Sequence, residues 1–307
     1  MTIAKATRNG IEIAYETFGG PPGDPLLLVM GVGAQMIYWH DEFCAALVER
    51  RFWVVRFDNR DAGLSTHLSA AGVPSQLRML RRPAEAAVYH LEDMADDAVA
   101  VLDALRWKAA HVVGRSLGGM IAQTLAIRHP SRVLSLTSIS STPSARIGRA
   151  SLGMALRMLL ANPAAMRNRR PASTEEAAEQ MMRGHRIVGS PGYPLDEAWL
   201  REVGRRMFER DGIDAAGRQR QNAAILAAGD RRPALASVRV PTLVVHGEAD
   251  PLVRLAGGRE TAAAVPGAKL VTFPGMGHDL PRELWPAIID QIRTLADRAQ
   301  DGDAAEG

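Results

Sequence analysis

The chain has a single cysteine, Cys44, among 307 residues, so it cannot close an internal disulfide, and the thiolate cluster of a structural zinc site is missing. A reducing compartment fits that usage. Lysine is nearly as scarce: Lys5, Lys108 and Lys269 are the only three, and the remaining basic residues are arginines. The formal net charge is +3 and no basic run is interleaved with aromatics, which argues against nucleic acid as a partner. Long apolar runs are lacking as well. The longest, around "LLLVMGVG", is too short to cross a bilayer, and "MTIAKATRNG" has no apolar stretch behind its positive charges. The expectation is a cytoplasmic protein without a membrane span.

What is present is 47% hydrophobic and 23% charged, the composition of a folded globular chain long enough for one large core plus an insertion. "IEIAYETF" alternates apolar and polar residues, as a strand with one wet face does. "PLLLVMG", "RFWVVRFD", "AAHVVG", "RVLSLTSIS", "VPTLVVHG" and "AKLVTF" are continuous apolar runs, which suit strands buried on both faces of a parallel sheet. Helical periodicity separates them, over 37–50, 91–107, 117–129 and 281–296. In 91–107 the residues Leu91, Met94, Ala98, Val101, Leu102 and Leu105 form one apolar stripe. Strands alternating with helices predict an α/β fold with a mostly parallel sheet.

The alternation stops between about 143 and 236, where the pattern is helical throughout, with "SPGYP" among its breaks. Residues 143–236 are therefore expected to be a helical insertion, 1–142 and 237–300 the core, and 301–307 a flexible tail. From 144 to 236 there are sixteen arginines against ten acidic residues, so this stretch carries an excess of six positive charges. Such a face is ordinarily solvated; the alternative is that it recruits an anionic substrate group.

"HVVGRSLGG" places Ser116 between glycines where a strand ends and a helix begins, the context of a nucleophile elbow. Gly114 and Gly118 allow strand and helix to approach around a strained turn, with the serine hydroxyl out at the sheet edge. A serine that merely caps a helix does not need such neighbours. A serine nucleophile requires a base. His278, in the glycine-rich "FPGMGHDLP" between the last strand and the last helix, is well placed to reach the sheet's carboxyl edge. His246 ends a strand and reads as structural, His111 and His129 lie away from that edge, and His40, His67, His90 and His185 remain open as pocket-rim residues. The base needs an acid. Asp250 in "VVHGEADPLV" fits the chain order serine, acid, histidine, with Glu248 as runner-up, while Asp279 adjoins the base and is expected to point elsewhere. Oxyanion donors are expected from the backbone N–H groups of Leu117 and, after "LLLVMG", Val32.

In these stretches, together with "RFDNRDAGLST", the chain resembles the α/β-hydrolase superfamily over nearly its whole length, and is most similar to serine esterases of the aclacinomycin methylesterase type. It departs from many relatives in having Met30-Gly31 where they have His-Gly. The resemblance implies a carboxylesterase with a helical cap, no cofactor and no metal. Its substrate would be a small molecule, expected to be an apolar ester, with Gly31, Met36, Tyr38 and Trp39 as candidate contacts; packing is the rival role for Met36, Tyr38 and Trp39. Lipase, thioesterase, lactonase or C–C hydrolase chemistry could use the same triad, and a non-catalytic hydrolase-fold receptor is a further alternative. Dinucleotide binding at "GVGAQM" fails at Met36, where the fingerprint requires a third glycine.

Overall fold

The computed structural model describes residues 3–161, 171–210 and 214–306. Eight strands form one sheet: β1 (Ala4–Arg8), β2 (Ile11–Phe18), β3 (Asp24–Val29), β4 (Phe52–Phe57), β5 (Ala110–Arg115), β6 (Val133–Ile139), β7 (Thr242–Gly247) and β8 (Lys269–Phe273). Their order is β1-β2-β4-β3-β5-β6-β7-β8, with β2 antiparallel to both neighbours and every other pairing parallel. All seven strands read from apolar runs or alternation are present. β1 is an addition: "AKATR" buries only Ala6 and, at the sheet edge, lacks the apolar content that marks a central strand.

The continuous runs are buried on both faces, as parallel strands require. In β3, Leu27 and Val29 join the cluster beneath helices Leu91–Ala104 and Leu117–Arg128, while Leu26 and Leu28 join the opposite one with Leu47, Ile288 and Ile292. Helix Leu117–Arg128 is buried almost all round, which explains its small and apolar sequence. The last helix, Trp285–Glu306, continues to Glu306, through the stretch from 301 that the sequence marks as a flexible tail; past Pro286 in its first turn no proline interrupts it.

Between β6 and β7 lie helices Leu152–Ala161, Thr174–Val188, Glu197–Glu209 and Ala215–Ala227, with part of "MALRMLLANPAAM" outside the described residues. The arginines here are not simply a solvated face. Arg220 is fully buried, its fork on both carboxylate oxygens of Asp61 at 2.7 and 2.8 Å. Arg210 reaches the fully buried Asp58 at 3.2 Å, and Arg231 is buried against Gln123 and the Thr142 carbonyl. Asp58 and Asp61 follow β4, so these pairs fasten the inserted helices to the core.

Candidate active site

Successive connections diverge at the β3/β5 junction: β3 leads to β4 on one side, and β5 to β6 on the other. In an open parallel sheet, ligands bind outside the carboxyl ends of the strands at such a switch point. Val29 pairs with Gly114 there, so the loops after β3 and β5 start side by side. Ser116 is the residue at this junction with a strained backbone, φ 57° and ψ −120°. A Cβ on Gly114 would stand 2.1 Å from the Gly118 carbonyl oxygen, and one on Gly118 would stand 2.0 Å from that of Val29. Only glycine permits this approach of strand, turn and helix.

His278 bridges two of the predicted partners. Its Nε2 lies 3.0 Å from Ser116 Oγ, and its Nδ1 lies 2.7 Å from Asp250 Oδ2. The other Asp250 oxygen accepts the backbone N–H groups of Leu252 and Val253, each at 2.9 Å. Burial by itself would raise the Asp250 carboxyl, but His278 and these donors hold it below the usual carboxylate range. The alternative acids lie elsewhere: Glu248 accepts from Thr272 Oγ1 at 2.8 Å, and Asp279 accepts from Ser190 Oγ. His246 is fully buried, with Nε2 2.7 Å from the Val253 carbonyl, and burial lowers its pKa. His111 is locked between Ser135 and Phe52, its pKa lowered to about 4 by burial. His129 pairs with Asp96, His67 with Asp214, and His40 and His90 cap helices.

The loop after β3 passes directly over the serine. A Cβ on Gly31 would meet Ser116 Cβ at 3.2 Å, and Asn59 fixes the loop by donating to the Met30 carbonyl at 2.9 Å. Val32 is the next residue and packs its side chain on the core, while Leu117 opens the helix that begins at the serine, where the helix dipole favours negative charge. The inserted helices hold this loop too. Gly33 N–H donates to Gln221 Oε1 at 2.7 Å and Gln35 donates to the Met207 carbonyl at 2.8 Å, while from the core Asp58 accepts the Met36 N–H at 2.6 Å.

Met36 is fully buried with Ile37, Val203 and Met207. Tyr38 and Trp39 line a cavity of about 260 Å³ that also touches Arg115, His185, Trp199 and Asp279. Ser116 and His278 do not line it, although their chain neighbours Arg115 and Asp279 do. Tyr38 Oη meets His185 Nε2, and burial raises the phenol to about 12. Sequence reasoning passed over the groups that hold the His278 backbone: its N–H donates to the Val188 carbonyl at 2.7 Å, and Arg115 donates to its carbonyl. Val188 lies 90 residues away in the chain, so no local pattern marks the contact.

Asp61, His67 and Asp214 offer three ligand atoms within 4.8 Å of one another. The Arg220 guanidinium already sits against both carboxylates, its cation occupying the place a metal ion would take, which makes this an ion-pair cluster and a poor cation site. Among the described residues, no helix is long and apolar enough to cross a membrane.

A family model described as the alpha/beta hydrolase fold matches residues 24–281. The rhodomycin D methylesterases DauP of Streptomyces sp. (strain C5) and DnrP of Streptomyces peucetius are each 30% identical to the chain, covering 92% of it and 93% of their own length. A crystal structure of a hydrolase from Pseudomonas aeruginosa PA01 superposes with a TM-score of 0.67 at 25% identity, over 95% of this chain and 97% of that one. With a serine on a strand-to-helix elbow, a family match across most of its length and relatives of nearly equal extent, the chain belongs to the alpha/beta hydrolase fold family.

Proposed function

We propose that the chain is a carboxylic ester hydrolase of methylesterase-like type, with Ser116 as nucleophile, His278 as base and Asp250 as the acid that orients it. The observation that carries this reading is the two-sided contact of His278, 3.0 Å to Ser116 and 2.7 Å to Asp250. Ser116 Oγ bonds to the ester carbonyl carbon while its proton passes to Nε2, and the carbonyl oxygen takes the charge against the N–H groups of Leu117 and Val32. The bond to the alkoxy oxygen then breaks, and His278 returns its proton to that oxygen to release the alcohol. Water attacks the acyl carbon by the same route, giving the acid and restoring the serine.

In this reading residues 143–236 are the cap over the sheet's carboxyl edge, and Gly31, Tyr38 and Trp39 face the substrate side, with Met36 supporting them. The names of the rhodomycin D methylesterases favour a small alcohol leaving from a larger acid. A series of p-nitrophenyl esters of rising acyl length, hydrolysed by the wild type and Ser116→Ala, tests the assignment. The variant is expected to lose activity by roughly 10⁴-fold or more, and fluorophosphonate should label only the wild type. An unchanged rate in Ser116→Ala removes the serine from the mechanism.

A further inference from the structure

Among the described residues, several arginines of the inserted helices meet a carboxylate. Arg201 pairs with Glu179, Arg205 with Glu175, Arg206 with Asp41, Arg210 with Asp58 and Arg220 with Asp61. Arg218 does not. It is partly buried, which lowers its pKa, and among the described residues its guanidinium has no hydrogen-bond or ion-pair partner. A charge taken out of water without a counter-charge is costly, and guanidinium carries five N–H donors in a fixed fork suited to carboxylate.

The surroundings are an open cavity. Arg218 forms part of the wall of a space of about 420 Å³ between helices Gln76–Arg81 and Ala215–Ala227. Met79, Leu80, Ile225 and Leu226 supply apolar walls, and Gln76 and Asn222 supply amides. The lining contains no second basic residue, so it suits one negative charge better than two. Leu80 stands 74% exposed. The size falls within the range of small-molecule sites. The cavity also adjoins the catalytic loop: a Cβ on Gly33 would stand 2.8 Å from Arg218 Cδ, and Gly31, two residues earlier, touches Ser116.

We infer that this cavity binds the carboxylate of an amphipathic monoacid, with the acid group on Arg218 and its apolar body against Met79, Leu80, Ile225 and Leu226. The binding does not depend on ester hydrolysis, so it can be tested by itself. The acid is either the far end of a substrate or a separate molecule such as a released product, and the chemistry of recognition is the same for both.

The test is calorimetric titration of the full chain with sodium decanoate and, as a neutral control, decan-1-ol. Arg218→Met keeps the stem and removes the charge. The wild type should bind decanoate saturably, Arg218→Met at least tenfold more weakly, and Arg218→Lys in between, while decan-1-ol should not distinguish them. Leu80→Asp, at an exposed position that leaves folding intact, should weaken decanoate binding more than Leu80→Asn by putting a like charge in the cavity wall. Absence of decanoate binding by the wild type overturns the inference, and so does equal binding by Arg218→Met and by Leu80→Asp. The two sources separate kinetically. If the acid is the substrate's far end, Arg218→Met raises KM for the monoethyl ester of a long dicarboxylic acid but not for its diester. If it is a separate ligand, Arg218→Met leaves KM unchanged for both esters while still weakening decanoate binding.

Discussion

Replacing Asp250 by asparagine changes one atom of the candidate site, and the structure dictates how the new side chain must sit. One carboxylate oxygen accepts two backbone N–H groups, from Leu252 and Val253, and the other accepts from His278 Nδ1. If the amide oxygen faces His278, its NH₂ confronts two backbone donors and both are orphaned, at about 1–3 kcal/mol each. If the oxygen keeps the two N–H groups, only the histidine contact is altered, so this orientation wins. The amide then donates to Nδ1, which must become an acceptor, and the imidazole proton moves to Nε2. That nitrogen faces Ser116 Oγ at 3.0 Å and can no longer take its proton. A histidine in the wrong tautomer costs roughly 10⁴ in kcat, or about 5 kcal/mol at 1.36 kcal/mol per decade. The assay is steady-state hydrolysis of p-nitrophenyl acetate, with KM expected to change little because ester binding does not involve Asp250. An Asp250→Asn enzyme within tenfold of wild-type kcat, or one whose defect lay wholly in KM, would refute the reasoning. Glu248→Gln is the matched control, since that carboxylate bonds Thr272 away from the imidazole.

Three further outcomes are expected. Gly118→Ala forces a methyl to within 2.0 Å of the Val29 carbonyl oxygen, which is backbone and cannot step aside; urea unfolding should show a loss of about 1–3 kcal/mol or more, with reduced activity because Val29 leads into the loop over Ser116. Arg210→Met strips the counter-charge from the fully buried Asp58, which among the described residues then keeps the N–H groups of Met36 and Leu64. A loss of about 3 kcal/mol in urea unfolding at neutral pH is expected, shrinking in acid because burial already pushes the Asp58 carboxyl upward and a protonated acid needs no counter-charge. Burial would raise the Asp214 carboxyl, but His67, the Gly217 N–H and Arg220 draw it down from 3.8 to about 2. A depressed carboxyl stabilises the fold above its unfolded pKa and stops doing so as pH falls through its folded pKa. Melting curves should therefore show wild type above Asp214→Asn at pH 5 and the two converging between pH 4 and 2.

The strands of the sheet's centre were legible because burial on two faces leaves unbroken apolar runs such as "LLLV" and "HVV", and the elbow was legible because close approach of backbone to backbone demands glycine at fixed spacing. Asp250 could be singled out as a candidate only by chain order; its contact with His278 and the Leu252 and Val253 N–H groups that hold it, which set it apart from Glu248, are invisible in sequence. β1 escaped because one buried alanine among Lys5, Thr7 and Arg8 gives no apolar signal. The arginines of 143–236 read as a solvated face, yet Arg210 and Arg220 turn inward onto Asp58 and Asp61. Pairing over 150 residues leaves no periodic trace, and an arginine bound to a buried carboxylate looks in sequence like one in water.

The bond from the His278 backbone N–H to the Val188 carbonyl ties the backbone that carries the imidazole to the end of helix Thr174–Val188. On the proposed chemistry this is an interlock: raising that helix to admit a bulky ester also unclips the group that must accept the proton. Turnover would then be confined to the shut state, and an enzyme caught open would hold its substrate without cutting it.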